Sequence, residues 1–278
     1  MMKSAFLFML IFWPTFLFSG NVGSTEEIGN IPLGVIDSRI VNVGYSGKEV
    51  LKYEVFWSGG IKIGELHLEV NNLADDEVGF EIRAFITTKG GAVHLFYPIS
   101  DVHVTKVRGV KKLPYHYEIW QKEGYSYTAH RELLYDQKNG SVCYLKNDKL
   151  DGEYSIEGEV NNEFSSFFNS RLMDITASTS FLVPTFADKK RVEVVVHSQG
   201  VEQIKKTIIG DVTAIRVMPI MKFKGLYDKK GDTVIWYTND KCRVPVKINS
   251  KIAIGSLTAK LREFENPSCD IYPAVRKK

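Results

Sequence analysis

From Glu49 onward the chain breaks into short runs in which apolar and polar residues alternate. Val192, Val194 and Val196 share one phase, as do Ile215, Val217, Met221 and Phe223, then Val234, Trp236 and Thr238, then Val244, Val246 and Ile248. A period of two places successive side chains on opposite faces, so each run predicts a strand with one covered face. Glu123-Gly124, Asn139-Gly140, Asp151-Gly152, Lys230-Gly231 and Asn239-Asp240 fall between runs, where Gly, Asn and Asp adopt turn conformations. The pattern predicts a mainly β protein. A meander of roughly ten or more antiparallel strands must curl to bury its apolar face, which gives a curved sheet forming an open or closed barrel.

One interval departs from this period. Phe164, Phe167, Phe168, Arg171, Leu172 and Ile175 recur at three- and four-residue steps, behind Asn162 as an N-cap and ahead of Pro184. They predict one amphipathic helix near 161–181, whose phenylalanine stripe covers the sheet; the functional alternative is a mobile lid. Two segments share the form I-x-I-G-x-L: Ile61 to Leu66 and Ile252 to Leu257. In both, the apolar phase flips at the glycine, as at a β-bulge or bend. The first and last strands are therefore expected to curve alike and to be able to lie side by side.

Ahead of this pattern, Met1-Met2-Lys3 leads into an apolar run ending at Phe18 and broken by Pro14. The run is shorter than the roughly twenty apolar residues of a membrane-spanning helix, and it reads as a secretory signal peptide over 1–24, cut between Ser24 and Thr25, with a cut after Gly20 as the alternative. An uncleaved anchor is the alternative. Residues 25–45 form a linker or N-terminal arm, 46–265 a single β-rich domain and 266–278 a C-terminal tail. The protein is expected to be exported, most simply to a periplasm.

Charge and cysteines narrow the function classes. A net charge of +3 with interspersed signs leaves no basic footprint for nucleic acid. Arg276-Lys277-Lys278 reads as a solvated tail, with peripheral contact to an anionic membrane as the alternative. Three cysteines are too few for a disulfide framework and lack metal-ligand spacing. Cys242 and Cys269 form a candidate bridge; Cys143, alternating with Val142 and Tyr144, reads as a buried thiol.

Several of these residues together carry a resemblance. Tyr53-Glu-Val-Phe-Trp57 is followed by Gly60, Ile63 and Gly64, and the helical interval contains Phe167-Phe168-x-x-Arg171. Gly210 and Pro219 come next, then the block from Val234-Ile-Trp236 through Asp240-Lys-Cys-Arg243 to Pro245 and Ile248, and finally Ile254-Gly255. From about Leu51 to Leu261 the chain resembles the bacterial exported-protein family known as domain of unknown function 3108. The resemblance implies an envelope-associated, mostly β protein and brings no catalytic residues. Phe167 and Phe168 stand where the family usually has tyrosines, so hydrogen bonding through those hydroxyls is lost.

Catalytic motifs are missing. There is no Gly-x-Ser-x-Gly elbow, His-Glu-x-x-His, Cys-x-x-Cys or phosphate-cradling glycine loop. No cofactor or metal is expected. Four of the six histidines, His94, His103, His116 and His130, fall close together and define the alternative of an envelope enzyme or metal site built from that region. Otherwise each occupies the polar face of a strand. Tyr115, Tyr117, Trp120, Tyr125 and Tyr127 surround the Lys122-Glu123-Gly124 turn, and the first two and last two tyrosines are expected to share one hairpin face. Such pairs stabilise cross-strand packing. Their functional reading is a concave surface that holds an amphiphile, with Trp57, Tyr115, Tyr117, Tyr125, Tyr127, Phe167, Phe168 and Trp236 as the ligand-binding set. The leading functional expectation is therefore non-enzymatic binding or carriage of a lipid or other apolar small molecule. An assembly factor that binds another envelope protein is the alternative.

Overall fold

The strand nearest the N-terminus, β1 (Lys48–Trp57), pairs antiparallel with β14 (Ser256–Glu265), running from Val50 opposite Glu265 to Trp57 opposite Leu257. This pairing joins two meanders. One consists of β1, β2 (Ile61–Leu73), β3 (Asp76–Thr87), β4 (Ser100–Arg108), β5 (Leu113–Glu123), β6 (Tyr127–Asp136), β7 (Ser141–Lys146) and β8 (Lys149–Ser155). The other consists of β9 (Ser180–Ala187), β10 (Lys190–Thr207), β11 (Gly210–Lys222), β12 (Thr233–Thr238), β13 (Pro245–Lys251) and β14. Together they form one antiparallel sheet in which β8 and β9, neighbours in sequence, are the two edges. The computed structural model describes residues 30–73, 76–175, 179–222, 233–252 and 255–277. The leader with its cleavage site, the Lys230-Gly231 turn, Phe223 and Ile254 lie outside the described residues.

The expected curvature is present, and the sheet stays open along its backbone. Between its edges runs a strap: Asn161 N–H donates to the Pro184 carbonyl and Phe186 N–H donates to the Asn161 carbonyl, both on the β9 side. Side chains complete the contact. Tyr154 of β8 packs on Phe186 of β9 at 6.0 Å, and Lys189 in the β9–β10 turn lies over Tyr144 and Tyr154. The curled sheet thus surrounds a continuous core that includes Leu51, Tyr53, Leu68, Ile82, Phe168, Val194 and Tyr237.

Helix α2 (Glu163–Ser170) is shorter than the predicted 161–181 segment. Its start is as expected: Asn162 Oδ1 accepts from Ser165 N–H, and the Ser165 hydroxyl accepts from Asn162 N–H, closing a capping box. Its end comes early because Leu172 and Ile175 are buried in irregular chain rather than on a further turn. Pro184 is inside edge strand β9, a place that tolerates its missing N–H.

Two other expectations change. The I-x-I-G-x-L segments flank β1, one on β2 and one leading into β14, so β1 separates them. The phase does flip at Gly64, where the β1–β2 register shifts between Val55 and Phe56; Gly255, at φ +84°, sits in the turn before β14. Asp151-Gly152 lies within β8, and the turn is made by Asn147 and Asp148, both at positive φ.

Both ends of the described residues are tied down. Residues 33–36 bridge to Leu182 and Met173, short helix α1 (Val41–Gly44) follows, and the Tyr45 hydroxyl donates to Asn169 Oδ1. At the other end Cys242 and Cys269 form a disulfide with Cα atoms 5.5 Å apart. Strand β15 (Val275–Arg276) pairs with β14, and Arg276 and Lys277 pair with Glu263 and Glu54 instead of forming a free tail. Cys143 is half-buried on the outer face, not buried within the core.

Candidate functional site

Strand registers separate the two ends of the curled sheet. One end carries the 109–112 and 137–140 connections and the helix, because Asn169 Nδ2 donates to the carbonyls of Lys111 and Lys112 and Arg171 reaches Glu49 at the start of β1. The other end carries the β1–β2 hairpin tip, the 88–99 loop, the β5–β6 turn and the β9–β10 turn. Helix α2 therefore fills one end only.

Across the concave face, the lining changes character between β3 and β4. Following one row of cross-strand neighbours, Ala129 faces Gln121, Asp101 faces Ile86, Ile86 faces Leu66, and Leu66 faces Tyr53. One row closer to the helix, Arg131 faces Ile119, Ile119 faces His103, His103 faces Ala84, and Ala84 faces Leu68. The β4–β7 wall is polar and tyrosine-rich, and the β1–β3 wall is aliphatic.

On the polar wall, Asp101 Oδ1 accepts from Lys122 N–H, Gln121 Nε2 donates to Glu123 Oε1 at 3.1 Å, and the Tyr97 hydroxyl donates to Glu123 Oε2 at 3.4 Å. Burial, with Glu123 beside it, pushes the Asp101 carboxyl up to about 7. Deeper in, His103 Nδ1 bonds the Tyr117 hydroxyl at 2.8 Å, and burial brings this imidazole down to about 3. Arg131 Nη2 donates to the Tyr127 hydroxyl at 3.0 Å. Burial raises the Glu163 carboxyl, on the first turn of α2, to about 7 against the opposing charge of Arg131. Gln121 Oε1, Arg131 Nε and the Tyr135 hydroxyl are buried and have no hydrogen-bond partner within the protein. Buried polar atoms of this kind are completed by water or a ligand.

On the aliphatic wall, Val55, Leu66, Ile86, Ile248, Ser250, Leu257 and Ala259 surround a recess of about 20 Å³. That is room for about one water. An acyl chain does not fit this recess without displacing side chains.

The predicted binding residues divide among three places. Tyr117, Tyr127, Phe167 and Phe168 lie inside, with Phe167 against Phe168 and Tyr237. Trp57 and Tyr125 are on the rim of the end opposite α2. Tyr115 and Trp236 are on the convex face of the sheet: Arg108 covers the Tyr115 ring, and Trp236 is buried there under Lys247 with its indole N–H held by Glu202. Tyr115 and Tyr117 do not share a face. The β4–β5 register shifts between Lys106 and Val107, leaving Tyr115 as the extra residue of a bulge.

The histidines do not converge. His103 is inside, His116 bonds Glu132 and His130 bonds Glu118 on the outer face, and His94 bonds Thr88 in the 88–99 loop. Among the described residues, no group of three or more His, Cys, Asp or Glu could hold a metal ion. Arg131 and Glu123 are interior groups that no motif marks, and Asp101 shares the phase of His103. Arg131 had a signal, because it is in phase with Leu133 and Tyr135 on β6.

The family model described as Protein of unknown function (DUF3108) matches residues 52–262. Among solved structures, the chain is similar to a beta-barrel-like protein of domain of unknown function DUF1849 from Brucella abortus, with TM-score 0.55, 9% identity and coverage of 85% of this chain and 99% of that chain. A second similarity, to hypothetical protein CT021 from Chlamydia trachomatis, has TM-score 0.34 and 9% identity over 84% of this chain and 93% of that chain. At 9% identity and TM-score 0.55 the first shows a shared beta-barrel-like fold. No curated protein matches the chain.

Proposed function

Because the chain belongs to the family described as Protein of unknown function (DUF3108), membership brings no activity with it, and we propose from the geometry that it is an exported, non-enzymatic binding protein. Its ligand is a small amphiphile with an acidic head, taken at the end of the curled sheet that α2 leaves unfilled. The observation that carries this reading is Arg131, an interior cation whose Nε has no partner in the protein while its Nη2 is held by Tyr127. A carboxylate or phosphate would complete the guanidinium with charge-assisted hydrogen bonds. Tyr117, Tyr127 and Tyr144 offer apolar ring faces beside it, and the aliphatic wall begins at Ile86. Export is supported by the apolar leader and by the Cys242–Cys269 disulfide, a bond that persists in oxidising compartments.

The competing readings have less behind them. An assembly factor would lend a sheet edge, but β9 is covered by the Asn161 and Leu33 segments, and β8 alternates Lys149, Asp151 and Glu153, charges that discourage strand addition. An enzyme built on the histidines would need them together, and His103 alone faces the interior.

The test is to express the full-length chain with its leader, purify the exported product without detergent, and weigh it by native mass spectrometry before and after solvent extraction. A stoichiometric acidic adduct that Arg131→Met no longer retains is expected. A bare protein mass would overturn the reading, with water then the partner of the three orphaned polar atoms.

A further inference from the structure

The end opposite α2 carries an apolar lip. Leu95, Phe96 and Tyr125 are exposed to 78%, 81% and 80%, on two connections that hold each other in place. The Tyr125 hydroxyl donates to the Leu95 carbonyl, Gly124 N–H donates to the Pro98 carbonyl at 2.8 Å, and Tyr97 N–H donates to the Val93 carbonyl at 2.8 Å. The tips are thus fixed pointing outward rather than folded back onto the sheet. Lys89 in the 88–99 loop and Lys122 near the end of β5 are exposed beside these tips, whereas Asp101 on β4 and Glu123 on β5 are turned inward, 3% and 2% exposed. The outward face of the lip is therefore apolar, aromatic and positive.

We infer that this lip docks the protein on an anionic lipid bilayer. Tyrosine and phenylalanine suit the headgroup boundary, and lysines beside them add attraction to acidic headgroups. A second copy of the chain is a poorer occupant. Three side chains cover on the order of 500 Å², against about 800 Å² per partner in a stable protein interface. Projecting tips enter a fluid surface without needing a complementary one. The inference stands whether or not the interior holds a ligand.

The test is co-sedimentation of the purified protein with vesicles of phosphatidylglycerol and phosphatidylethanolamine, and with vesicles of phosphatidylcholine alone. Binding to the acidic vesicles is expected to weaken about tenfold or more in a Leu95→Ser/Phe96→Ser variant. A Lys89→Glu/Lys122→Glu variant should also bind more weakly, and salt should reproduce that loss for the parent protein. Both pairs are exposed, so an unchanged melting temperature shows that the fold is intact. The inference is overturned if the parent protein stays in the supernatant with acidic vesicles, or if the Leu95→Ser/Phe96→Ser variant binds them as well as the parent. Concentration-dependent dimers that this variant abolishes, without vesicle binding, would assign the lip to a second copy and overturn it equally.

Discussion

Arg171 and Glu49, 0% and 1% exposed, form a salt bridge of 2.8 Å between the C-terminal end of α2 and the start of β1. Glu49 Oε1 also accepts from Asn266 Nδ2 at 2.8 Å, so one carboxylate joins helix, first strand and C-terminal segment. Removing the cation alone strands that carboxylate in the core. Arg171→Met is expected to cost about 3–5 kcal/mol in urea unfolding, and adding Glu49→Met should recover most of the loss, since the charge is then gone from both sides. A double variant no more stable than the single one would mean that the Arg171 guanidinium contributes through its position over the Phe168 ring rather than through the ion pair.

The Cys242–Cys269 bond spans 27 residues and fixes the β12–β13 connection to the segment ahead of β15. Tyr272 reinforces it by donating to Asp240 Oδ2 at 2.7 Å. Cys269→Ser is expected to lower stability by about 2–4 kcal/mol, as loops of this size do when their cross-link is removed. Cys143→Ser, a half-buried position on the outer face, should change it by less than about 0.5 kcal/mol. Melting curves with and without reductant separate the two, because reductant should shift the Cys143→Ser protein and leave Cys269→Ser unmoved.

Gly64 and Gly60 look alike in sequence and differ in what surrounds them. A methyl group on Gly64 would sit 2.2 Å from the Thr87 carbonyl oxygen, whereas Gly60 has open space at φ +85°. Gly64→Ala forces two backbones apart and is expected to cost about 2 kcal/mol or more; Gly60→Ala strains one turn residue for about 1 kcal/mol. Equal losses in chemical denaturation would sink the claim that close approach, not conformation, requires Gly64.

Much of the architecture was written in the chain because a covered sheet face repeats every second residue. Val192, Val194 and Val196 on β10 and the glycine-flipped phase on β2 are local signals with local consequences. The helix was legible at its cap, where Asn162 and Ser165 are three residues apart, and illegible at its end, where Leu172 and Ile175 find tertiary partners without helical geometry. The site was the least legible part. A bulge at Tyr115 sends two alternating tyrosines to opposite faces, and Trp236 takes its shelter from Lys247 and Glu202 on the outside. Such outcomes depend on register between strands, which no single strand encodes.

Asp101 and His103 stand on one strand, face the same interior and shift stability with pH in opposite directions. Asp101 holds its proton up to about 7 in the folded protein, against 3.8 ordinarily. Its contribution is complete at low pH and is lost as pH rises through about 7. His103 is neutral down to about 3, against 6.5 ordinarily, so its contribution is complete above about 6.5 and is lost as pH falls. Each carries a slope of up to about 1.4 kcal/mol per pH unit within its window, and between about pH 4 and 6.5 the two oppose each other. Relative to the parent, Asp101→Asn should therefore gain stability as pH rises from about 4 to 7, and His103→Gln should lose it over about 3 to 6.5. Unfolding free energies measured across this range for the three proteins give both difference curves. Curves without slope would mean that both groups titrate as they do in the unfolded chain, and the polar wall would then be open to solvent.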